Sequence, residues 1–488
     1  MNILLVYPDV IQENANWPGY YYQGIGSISS YLKKKNHSVS LLHILKFDKE
    51  DIIKRIMKNS YDIIGFSATT NQFYYVSEIA KRLKENNVGS FLICGGAHPT
   101  LNPEESISEG VLDAICIGEG EEPTAELCDN ISHGKDIHNI PNLWVRRNNE
   151  IHKNPLRPLA NLDNLPFPDR DIFNYKSLLH ERMKEASVMA SRGCPYECSY
   201  CCNGALKNIY SKAGRYVRFK SVEYLIQELE DNLRKYDFIE AFAFDDDILP
   251  LNMQWFRNFV ISYKKNVNLP FTCNIRPNLV DDASVGLLKY AGCWRIHIGI
   301  ESGNSRVRNS ILSRKITNEN ILKAINLAAK NGIKVYTYNM LGVPGEGCRE
   351  ILDTIKMNAV PAVNFHQVSF YYPYKHTPLG EFCEQNKLIK NANIGDFFKE
   401  SPLKFSYSHS TKLEFYMKNF TKLIDIYRNL NKLPIPLSHL GICMSDLIFS
   451  SLLGIRLFSL INRIYGKIYF ILKKTKLKFI GLIANENL

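Results

Sequence analysis

The chain has 488 residues, of which 45% are hydrophobic and 22% are charged. This is the composition of an ordinary globular protein, and it excludes a disordered chain, a collagen-like fibre and a small disulfide-rich scaffold. The formal net charge is +11, and the segment from position 402 to the C-terminus carries thirteen Lys and Arg against four Asp and Glu. Because the basic excess is local, we expect a locally basic surface and no nucleic-acid partner.

The cysteines and the N-terminus indicate a reducing compartment. Twelve cysteines are present, but their spacing is not that of a secreted disulfide framework. The N-terminal sequence MNILLVYPDV has neither a basic region nor a cleavage site, and it is typical of a buried strand. No stretch reaches the ~18 apolar residues of a membrane span. We therefore expect a cytoplasmic protein, with attachment to a membrane surface left open for its C-terminal region.

The first 150 residues alternate apolar runs with segments of helical periodicity. Helices are predicted over 24–35 and through 76–83. Five strands are predicted, at 3–7, 38–42, 61–66, 91–94 and 113–117. Strands that alternate with helices predict an α/β fold with a doubly wound parallel sheet, and ligands of such sheets lie at the carboxyl ends of the strands.

A Pro-rich connector is predicted over 151–183, followed by a second series of strands and helices over 184–385. The strands of this series are predicted at 188–190, 241–244, 271–274, 295–300, 334–339 and 364–370. Six such units without an eighth predict a partial (β/α)6 barrel and not a closed one. The remaining region, 386–488, is predicted to be basic and largely helical.

A cluster of cysteines follows the first strand of the second series. Residues 191–203 read SRGCPYECSYCCN, so that Cys194, Cys198 and Cys201 are spaced Cys-x3-Cys-x2-Cys. Three thiolates on one tight loop can hold three irons of a four-iron cluster and leave the fourth iron open. The alternative is a structural zinc site, but zinc takes four ligands, mostly as two separated pairs, and no second pair is present.

The segment GCPYECSYC resembles the signature of radical S-adenosylmethionine (SAM) enzymes. The resemblance implies that Cys194, Cys198 and Cys201 bind a [4Fe-4S] cluster and that SAM chelates the open iron. It also implies that Tyr200 packs near the adenine and that SAM is cleaved to a 5′-deoxyadenosyl radical. In such enzymes the cofactor carries the difficult chemistry, and the protein supplies placement and exclusion of water.

Three further segments are similar to SAM-contacting motifs of the same family. IGIESG (298–303) implies Glu301 and Ser302 as polar contacts, although a helix N-terminal acid is the alternative for Glu301. FAFDDD (242–247) implies an aspartate near SAM or substrate; Asp246 is taken as the contact, but alternation along a strand leaves open which of the three acids points inward. Arg276 is a candidate for the SAM carboxylate, with an ordinary surface role as the alternative.

The N-terminal segment resembles the cobalamin-binding domain that precedes many radical SAM domains. The resemblance rests on LLVYP (4–8), DIIGFSATT (62–70), CGGAHPT (94–100) and IGEGEEP (117–123), and the alternative is that these are turns of any doubly wound domain. The cofactor-contacting residues that it implies are Ser67, Thr69, Gly95, Gly96, His98, Gly118, Glu119 and Gly120. No Asp-x-His-x-x-Gly motif occurs, so we expect cobalamin bound without a histidine as lower ligand.

The C-terminal region suggests two different roles. Residues 446–478 are apolar with interspersed basic residues, and Arg456, Ser459, Arg463 and Lys467 recur at a spacing that puts them on one helical face. A basic amphipathic helix can lie on an anionic membrane surface, which favours a lipid or isoprenoid substrate. The alternative is a helix that caps the core of the enzyme itself.

Taken together, the resemblances imply a cobalamin-dependent radical SAM enzyme. Its expected reaction is methylation of an unactivated carbon through methylcobalamin and a 5′-deoxyadenosyl radical. One alternative is a radical rearrangement, cyclisation or oxidation without methylation, and another is a non-catalytic iron–sulfur binding protein. The expected partners are a small-molecule or lipid-like substrate and an external one-electron reductant.

Overall fold

The structure is a computed structural model that describes residues 1–10, 17–148, 150–390 and 400–461. Two β-sheets with their covering helices make up most of the described chain. A group of C-terminal helices packs on the second sheet.

The N-terminal sheet has seven strands in the order β2-β1-β3-β4-β5-β6-β7. The strands are β1 Asn2–Pro8, β2 Ser38–Ile44, β3 Ile63–Ser67, β4 Phe91–Gly95, β5 Ala114–Cys116, β6 Leu143–Arg147 and β7 Glu150–Lys153. The first five are parallel, as predicted, and β6 and β7 add an antiparallel hairpin that was not predicted. The chain order reverses between β1 and β3, which is the point where doubly wound sheets bind ligands.

Six helices cover the two faces of this sheet. They are α1 Gln23–Lys34, α2 Lys49–Ile56, α3 Thr70–Glu85, α4 Ala97–Leu101, α5 Pro103–Ser108 and α6 Glu121–Ser132. Helices α1 and α6 pack together on one face, and α2 and α3 pack together on the other. In α3 the buried residues are Phe73, Val76, Ile79, Ala80 and Leu83, the three-and-four spacing of one apolar stripe.

The second sheet is a curled, six-stranded parallel half-barrel in the order β15-β14-β13-β12-β11-β8. Its strands are β8 Glu185–Val188, β11 Ala241–Phe244, β12 Phe271–Ile275, β13 Cys293–Glu301, β14 Lys334–Leu341 and β15 Phe365–Phe370. The short strands β9 Ser191–Arg192 and β10 Arg218–Phe219 form a separate antiparallel pair. The predicted partial barrel is confirmed. Its first strand begins three residues before the predicted start; the prediction missed these residues because polar Glu185 and Ser187 alternate with apolar ones.

Helix α7 Leu179–Met183 precedes the first strand, and α8 Cys202–Ile209 contacts α4 of the N-terminal part. The helices that connect the strands on the outer side of the half-barrel are α9 Val222–Lys235, α10 Met253–Asn266, α11 Asp282–Ala291, α12 Asn318–Lys330 and α13 Cys348–Asn358. Alternation along the strands separates this packed side from the concave side. In β14, for example, Val335 and Leu341 are fully buried, whereas Tyr336 and Tyr338 are only half-buried. Tyr338 meets His297 of β13 at 3.2 Å between Oη and Nδ1.

The C-terminal helices are α14 Pro378–Gln385, α15 Tyr407–Leu430 and α16 Ile435–Ser450. Asp446 of α16 accepts a hydrogen bond from Tyr427 of α15 at 2.6 Å and lies 3.0 Å from the ammonium of Lys356 in α13. These contacts hold α15 and α16 against the half-barrel. Of the predicted basic helical face, Arg456 and Ser459 lie in a further helix, Leu452–Ile461, and Arg463 and Lys467 lie outside the described residues.

No single helix in the described ranges has both the length and the apolar composition to cross a membrane. The pair formed by α16 and Leu452–Ile461 passes that test jointly, but its two members meet at 100°.

The turn after β14 buries a carboxyl group. Glu346 accepts a hydrogen bond from the Gly342 amide at 2.8 Å through Oε2, and its Oε1 has no partner. Burial raises the pKa of Glu346 to about 8, despite the amide hydrogen bonds that oppose the shift. The carboxyl group is therefore largely protonated in the folded chain at neutral pH.

We predict that this residue makes the fold less stable as pH rises. The folded state keeps its proton up to about pH 8, whereas the unfolded chain loses it near the ordinary glutamate pKa of 4.5. The folded state therefore holds more protons between these two pH values, and its stability falls as pH rises. Glu346→Gln removes this pH dependence of stability, because glutamine does not titrate. The test measures the free energy of unfolding by urea for wild type and for Glu346→Gln at pH 5 and at pH 8. The difference between the two proteins should change by more than about 1 kcal/mol between these pH values.

The exposed Glu384 on α14 provides the matched control. Glu384→Gln is expected to keep the wild-type pH dependence of unfolding. An identical pH dependence for wild type and Glu346→Gln would contradict the assignment of a buried, protonated carboxyl group.

Candidate functional site

A cavity of about 530 Å³ lies between the carboxyl edge of the N-terminal sheet and the half-barrel. This size is in the range of sites that hold a small molecule or a cofactor. The N-terminal part lines it with Ser67, Gly95, Gly96, Gly118, Glu119 and Gly120, all of which were predicted to contact a cofactor. The half-barrel part contributes Met189, Ser191, Arg192, Gly193 and Asp245, and tyrosines from both parts complete the wall: Tyr20, Tyr22, Tyr210, Tyr216 and Tyr224.

Two of the glycines are required by the shape of the loops that line the cavity. Gly96 has φ +103°, and a Cβ there would lie 2.7 Å from the carbonyl oxygen of Ala68. Gly118 has φ +88°, and its Cβ would lie 2.7 Å from Oη of Tyr210. Because both backbones also sit in the left-handed region, a side chain would be strained as well as crowded. The loops can thus approach a bound ligand with their backbone.

Two carboxylates of the N-terminal part bind two arginines of the half-barrel part beside this cavity. Arg192 reaches Glu119 and Glu121 at 2.7 Å each, and Arg218 reaches Glu119 at 2.6 Å. Burial alone would raise the pKa of Glu119, but the two guanidinium groups hold this pKa below its usual range. Glu119 was predicted to contact a cofactor; in the structure its oxygens are occupied by the arginines.

The cysteine loop begins two residues after Arg192. Cys194, Cys198 and Cys201 lie on it as predicted; the amide of Cys201 donates to the carbonyl of Cys198 at 3.0 Å, and α8 begins at the next residue. Hydrogen bonding from Cys202 and Asn203 lowers the pKa of the Cys201 thiol to about 7, whereas burial raises the pKa of Cys194 to about 12. Among the described residues, no three His, Cys, Asp or Glu side chains are placed to hold one metal ion. A four-iron cube takes each thiolate on a separate iron.

Arg276 lies against the cysteine loop. Its guanidinium stacks on the Tyr196 ring at 3.7 Å, and Nη1 is 3.6 Å from Sγ of Cys198. It also donates to Asn278 at 2.8 Å and to the backbone carbonyl of Arg314. Arg276 was predicted to bind a SAM carboxylate. In the structure its donors hold the loop and its positive charge lies beside Cys198, and the contact with SAM stays a prediction.

Tyr200 and Glu301 are brought together by Arg314, which the sequence analysis did not identify. The guanidinium of Arg314 donates to the Tyr200 hydroxyl, to Glu301 at 3.1 Å and to the Gly299 carbonyl at 3.0 Å. Burial raises the pKa of Glu301, and the charge of Arg314 opposes the shift. Glu301 has φ +63°, a conformation uncommon for a residue with a side chain, at a register shift of β13.

Two other predicted contacts in the half-barrel are turned away from the open space. Ser302 is fully buried, and its hydroxyl lies 3.4 Å from that of Thr354 and accepts from the Asn304 amide. Asp246 is fully buried and accepts from the Ala190 amide at 3.0 Å and from the Ser191 hydroxyl. Asp245 lies on the cavity wall instead, because alternation after β11 turns neighbouring acids to opposite sides.

Two predicted contacts of the N-terminal part also fail to reach the cavity. Thr69 precedes α3, and its amide and hydroxyl both donate to Oε1 of Gln72, at 2.9 and 3.0 Å, which caps the helix. His98 is buried in α4 and stacks on Phe73 with ring centroids 4.1 Å apart. Burial lowers the pKa of His98 to about 4, so its ring is neutral. Neither side chain lines the cavity, and their contacts with a cofactor stay predictions.

Asp245 belongs to a cluster of polar side chains at the carboxyl end of the half-barrel. Its Oδ2 accepts from the Ser187 hydroxyl and lies 3.4 Å from the Tyr20 hydroxyl, which comes from the N-terminal part. His180 packs against the Tyr20 ring with centroids 4.2 Å apart. The Asp triplet at 245–247 predicted an acid near SAM or substrate, but nothing in the sequence pointed to Tyr20.

Two family models match parts of the chain. Residues 20–128 match the model of the B12 binding domain, and residues 188–357 match the model of the radical SAM superfamily. The first range covers the glycine loops that line the cavity, and the second covers the cysteine loop and four of the six strands of the half-barrel, β11 to β14.

Known proteins resemble the chain over most of its length. It is 28% identical over 422 residues to an uncharacterised methyltransferase of Pyrococcus horikoshii, covering 83% of this chain and 90% of that protein. It is 23% identical over 375 residues to the anaerobic magnesium-protoporphyrin IX monomethyl ester cyclase of Rubrivivax gelatinosus, covering 73% and 65% of the two chains. The structure of OxsB, a cobalamin-dependent S-adenosylmethionine radical enzyme, superposes with a TM-score of 0.67 at 18% identity and covers 95% of this chain and 75% of its own. This likeness shows the fold.

We predict that Glu119→Ala destabilises the fold, because it leaves Arg192 and Arg218 without a shared carboxylate. Breaking a fully buried pair costs roughly 3–5 kcal/mol. These side chains keep 14% to 29% exposure, so we expect a loss of about 2 kcal/mol in the free energy of unfolding by urea. Glu126→Ala is the control, since Arg157 keeps Glu122 and the Glu126 side chain is 43% exposed; it should cost less than about 1 kcal/mol. Equal losses for the two variants would contradict the role assigned to the Glu119 pairs.

Proposed function

We propose that this chain, which belongs to the radical SAM superfamily and carries an N-terminal B12 binding domain, is a cobalamin-dependent methyltransferase that acts on an unactivated carbon. The observation that carries the proposal is a shared cavity. Arg192 and Gly193, which lead into the cysteine loop, line the same space as the glycine loops of the N-terminal sheet. A methyl carrier on one side and a radical source on the other would both face a substrate in that space.

The residues of the half-barrel suit a cluster and SAM. Cys194, Cys198 and Cys201 would hold three irons of a [4Fe-4S] cluster, and Tyr200 and Glu301 would contact SAM. When bound, the cluster supplies the electron that cleaves SAM, and cobalamin carries the methyl group. Arg314 fixes Tyr200 and Glu301 relative to each other, and Arg276 fixes the cysteine loop. Both arginines thus act by positioning.

The N-terminal residues suit a large, flat cofactor. Glycine backbone at positions 95, 96, 118 and 120 lines the cavity, and Cβ atoms at 96 and 118 would crowd their neighbours. Tyrosines from both parts of the chain wall the space and would exclude water from it. Asp245, between Ser187 and Tyr20, is a carboxylate that would orient a polar group of the substrate or hold a proton there.

A second candidate is radical chemistry without methylation, such as a cyclisation. The similarity to an anaerobic magnesium-protoporphyrin IX monomethyl ester cyclase supports it. Both candidates use the same cysteines. Both also need a small-molecule or lipid-like substrate and an external one-electron donor.

The reaction products distinguish the two candidate reactions, and a cysteine variant tests which residues the reaction needs. After anaerobic reconstitution with iron, sulfide and cobalamin, we expect the wild-type chain to cleave SAM under a one-electron reductant. Methylation releases S-adenosylhomocysteine together with 5′-deoxyadenosine, whereas the second candidate releases 5′-deoxyadenosine alone. Cys198→Ala should abolish cleavage, because one iron loses its thiolate.

Cys202 provides the matched control for this experiment. It is next to Cys201 but begins α8 and is not part of the three-cysteine spacing. Cys202→Ala should retain iron and SAM cleavage. Unchanged cleavage in Cys198→Ala, or no cleavage by the wild-type chain under reducing conditions, would favour a non-catalytic iron–sulfur protein.

We also predict that cobalamin binds without a protein imidazole on cobalt. Among the described residues that line the cavity none is a histidine, and His98 is buried against Phe73. Electron paramagnetic resonance of the Co(II) form should show the same nitrogen couplings whether or not the protein histidines carry ¹⁵N. His98→Gln should leave the spectrum unchanged. A coupling that changes with ¹⁵N-histidine would refute the prediction.

A further inference from the structure

The most apolar exposed surface of the described chain lies on its C-terminal helices. Along α16, Leu437, Leu440, Met444 and Leu447 are all exposed, and Leu447 reaches 75%. Their spacing of three and four places them on one face, which we call the α16 face. Leu453, Leu457 and Leu460 continue the exposed apolar surface along the next helix, Leu452–Ile461. Contiguous exposed apolar patches of this kind mark interaction sites.

The opposite side of α16 already has its partner. Ser438 and Phe449 are buried there, and Phe449 packs in a cluster with residues of α13 and α15. Helix α16 therefore has two apolar sides, one in the protein and the other open, although Ser438, His439 and Asp446 interrupt them. A helix with apolar residues on opposite sides is typically buried on both. The α16 face thus needs an apolar environment that the described chain does not supply.

The charges around the α16 face select the kind of environment. Asp446 is the only carboxylate between positions 435 and 461, and it is turned inward to Tyr427 and Lys356. The face itself carries no negative charge. The sequence that follows, 462–488, contains six Lys and Arg and one Glu. An apolar face followed in the sequence by a basic segment is a combination that binds anionic lipid.

The geometry favours a helix pair that lies on a membrane and does not cross it. Helix α16 has 16 residues, a length of about 24 Å at 1.5 Å per residue, against about 30 Å for the hydrocarbon core. The next helix departs from it at 100°. Self-association through the same face would bring two basic C-terminal segments together, whereas an anionic surface offers the opposite charge.

We propose that the α16 face and the helix Leu452–Ile461 dock this chain on an anionic lipid surface. The leucines enter the boundary between headgroups and acyl chains, and the exposed Arg456 of the second helix reaches the headgroups. The proposal does not depend on the reaction proposed above, but it would place the enzyme where a lipid-like substrate is found.

The first test measures how the full chain partitions onto vesicles of phosphatidylcholine with phosphatidylglycerol, by co-sedimentation. Wild type should bind these vesicles, bind vesicles of phosphatidylcholine alone more weakly, and lose affinity as salt rises. Leu440→Glu/Leu447→Glu should reduce partitioning by at least about tenfold, because two inserted side chains become charged. Ile261→Glu is the matched control: Ile261 is 62% exposed on α10, away from this face, and should bind as wild type does.

A second measurement locates the contact. Leu440→Trp should show emission that brominated lipid quenches, whereas the same substitution at Ile261 should add no quenched emission. Three results would each overturn the proposal. They are vesicle binding by the double Glu variant that equals that of the wild type, no vesicle binding by the wild type, and no quenching of emission in Leu440→Trp. A concentration-dependent dimer that the double Glu variant converts to monomer, without vesicle binding, would assign the face to a second copy of the chain.

Discussion

The ion pairs of Arg192 hold the site together. Arg192 bonds to Glu119 and Glu121 at the carboxyl edge of the N-terminal sheet, and the cysteine loop begins two residues later. The loop is therefore tied to the N-terminal part at its root. Desolvation largely offsets the attraction in such pairs, so their main value is positional. Arg218 also pairs with Glu119, so four charges meet here. Few arrangements of the two parts would pair all four, and the observed arrangement places Gly193, at the start of the cysteine loop, in one cavity with the glycine loops.

Several features of the site follow from this constraint. The cavity is open at the ends of parallel strands from both sheets, where short loops present backbone and polar side chains. Tyr20 from the N-terminal part and Asp245 from the half-barrel come within 3.4 Å across it. On the far side of the cysteine loop, Arg276 and Arg314 are linked through a backbone carbonyl and hold Tyr196, Tyr200 and Glu301. The groups that would contact SAM are thus fixed to the loop that would bind the cluster.

The parts of this architecture that the sequence predicts are those with strong local signals. Buried parallel strands are continuous apolar runs, and such runs located β1, β3, β4 and β5 of the N-terminal sheet. The predicted start of strand β8 was three residues too late, because its inward-facing positions, Glu185 and Ser187, are polar. The hairpin of β6 and β7 was missed because its pattern is short and half-exposed.

Side-chain direction was the less predictable part of the site. The Asp triplet was located correctly, but only the structure shows that Asp246 faces the protein and Asp245 the cavity. Thr69 and His98 lie at the right strand ends and yet serve a helix cap and a buried stack. Arg314 carries no local signal, because its role depends on reaching Tyr200 and Glu301 from a distant loop. Such contacts depend on tertiary packing, which a single sequence does not specify.

We propose that the cysteine loop and the glycine loops serve one shared cavity. Electron paramagnetic resonance of the chain loaded with both the reduced cluster and Co(II) cobalamin tests it most directly. If the two paramagnets face the same space, their spectrum will show magnetic interaction and will differ from the sum of the spectra of the singly loaded chains. A spectrum equal to that sum would show two separate sites and would contradict the account.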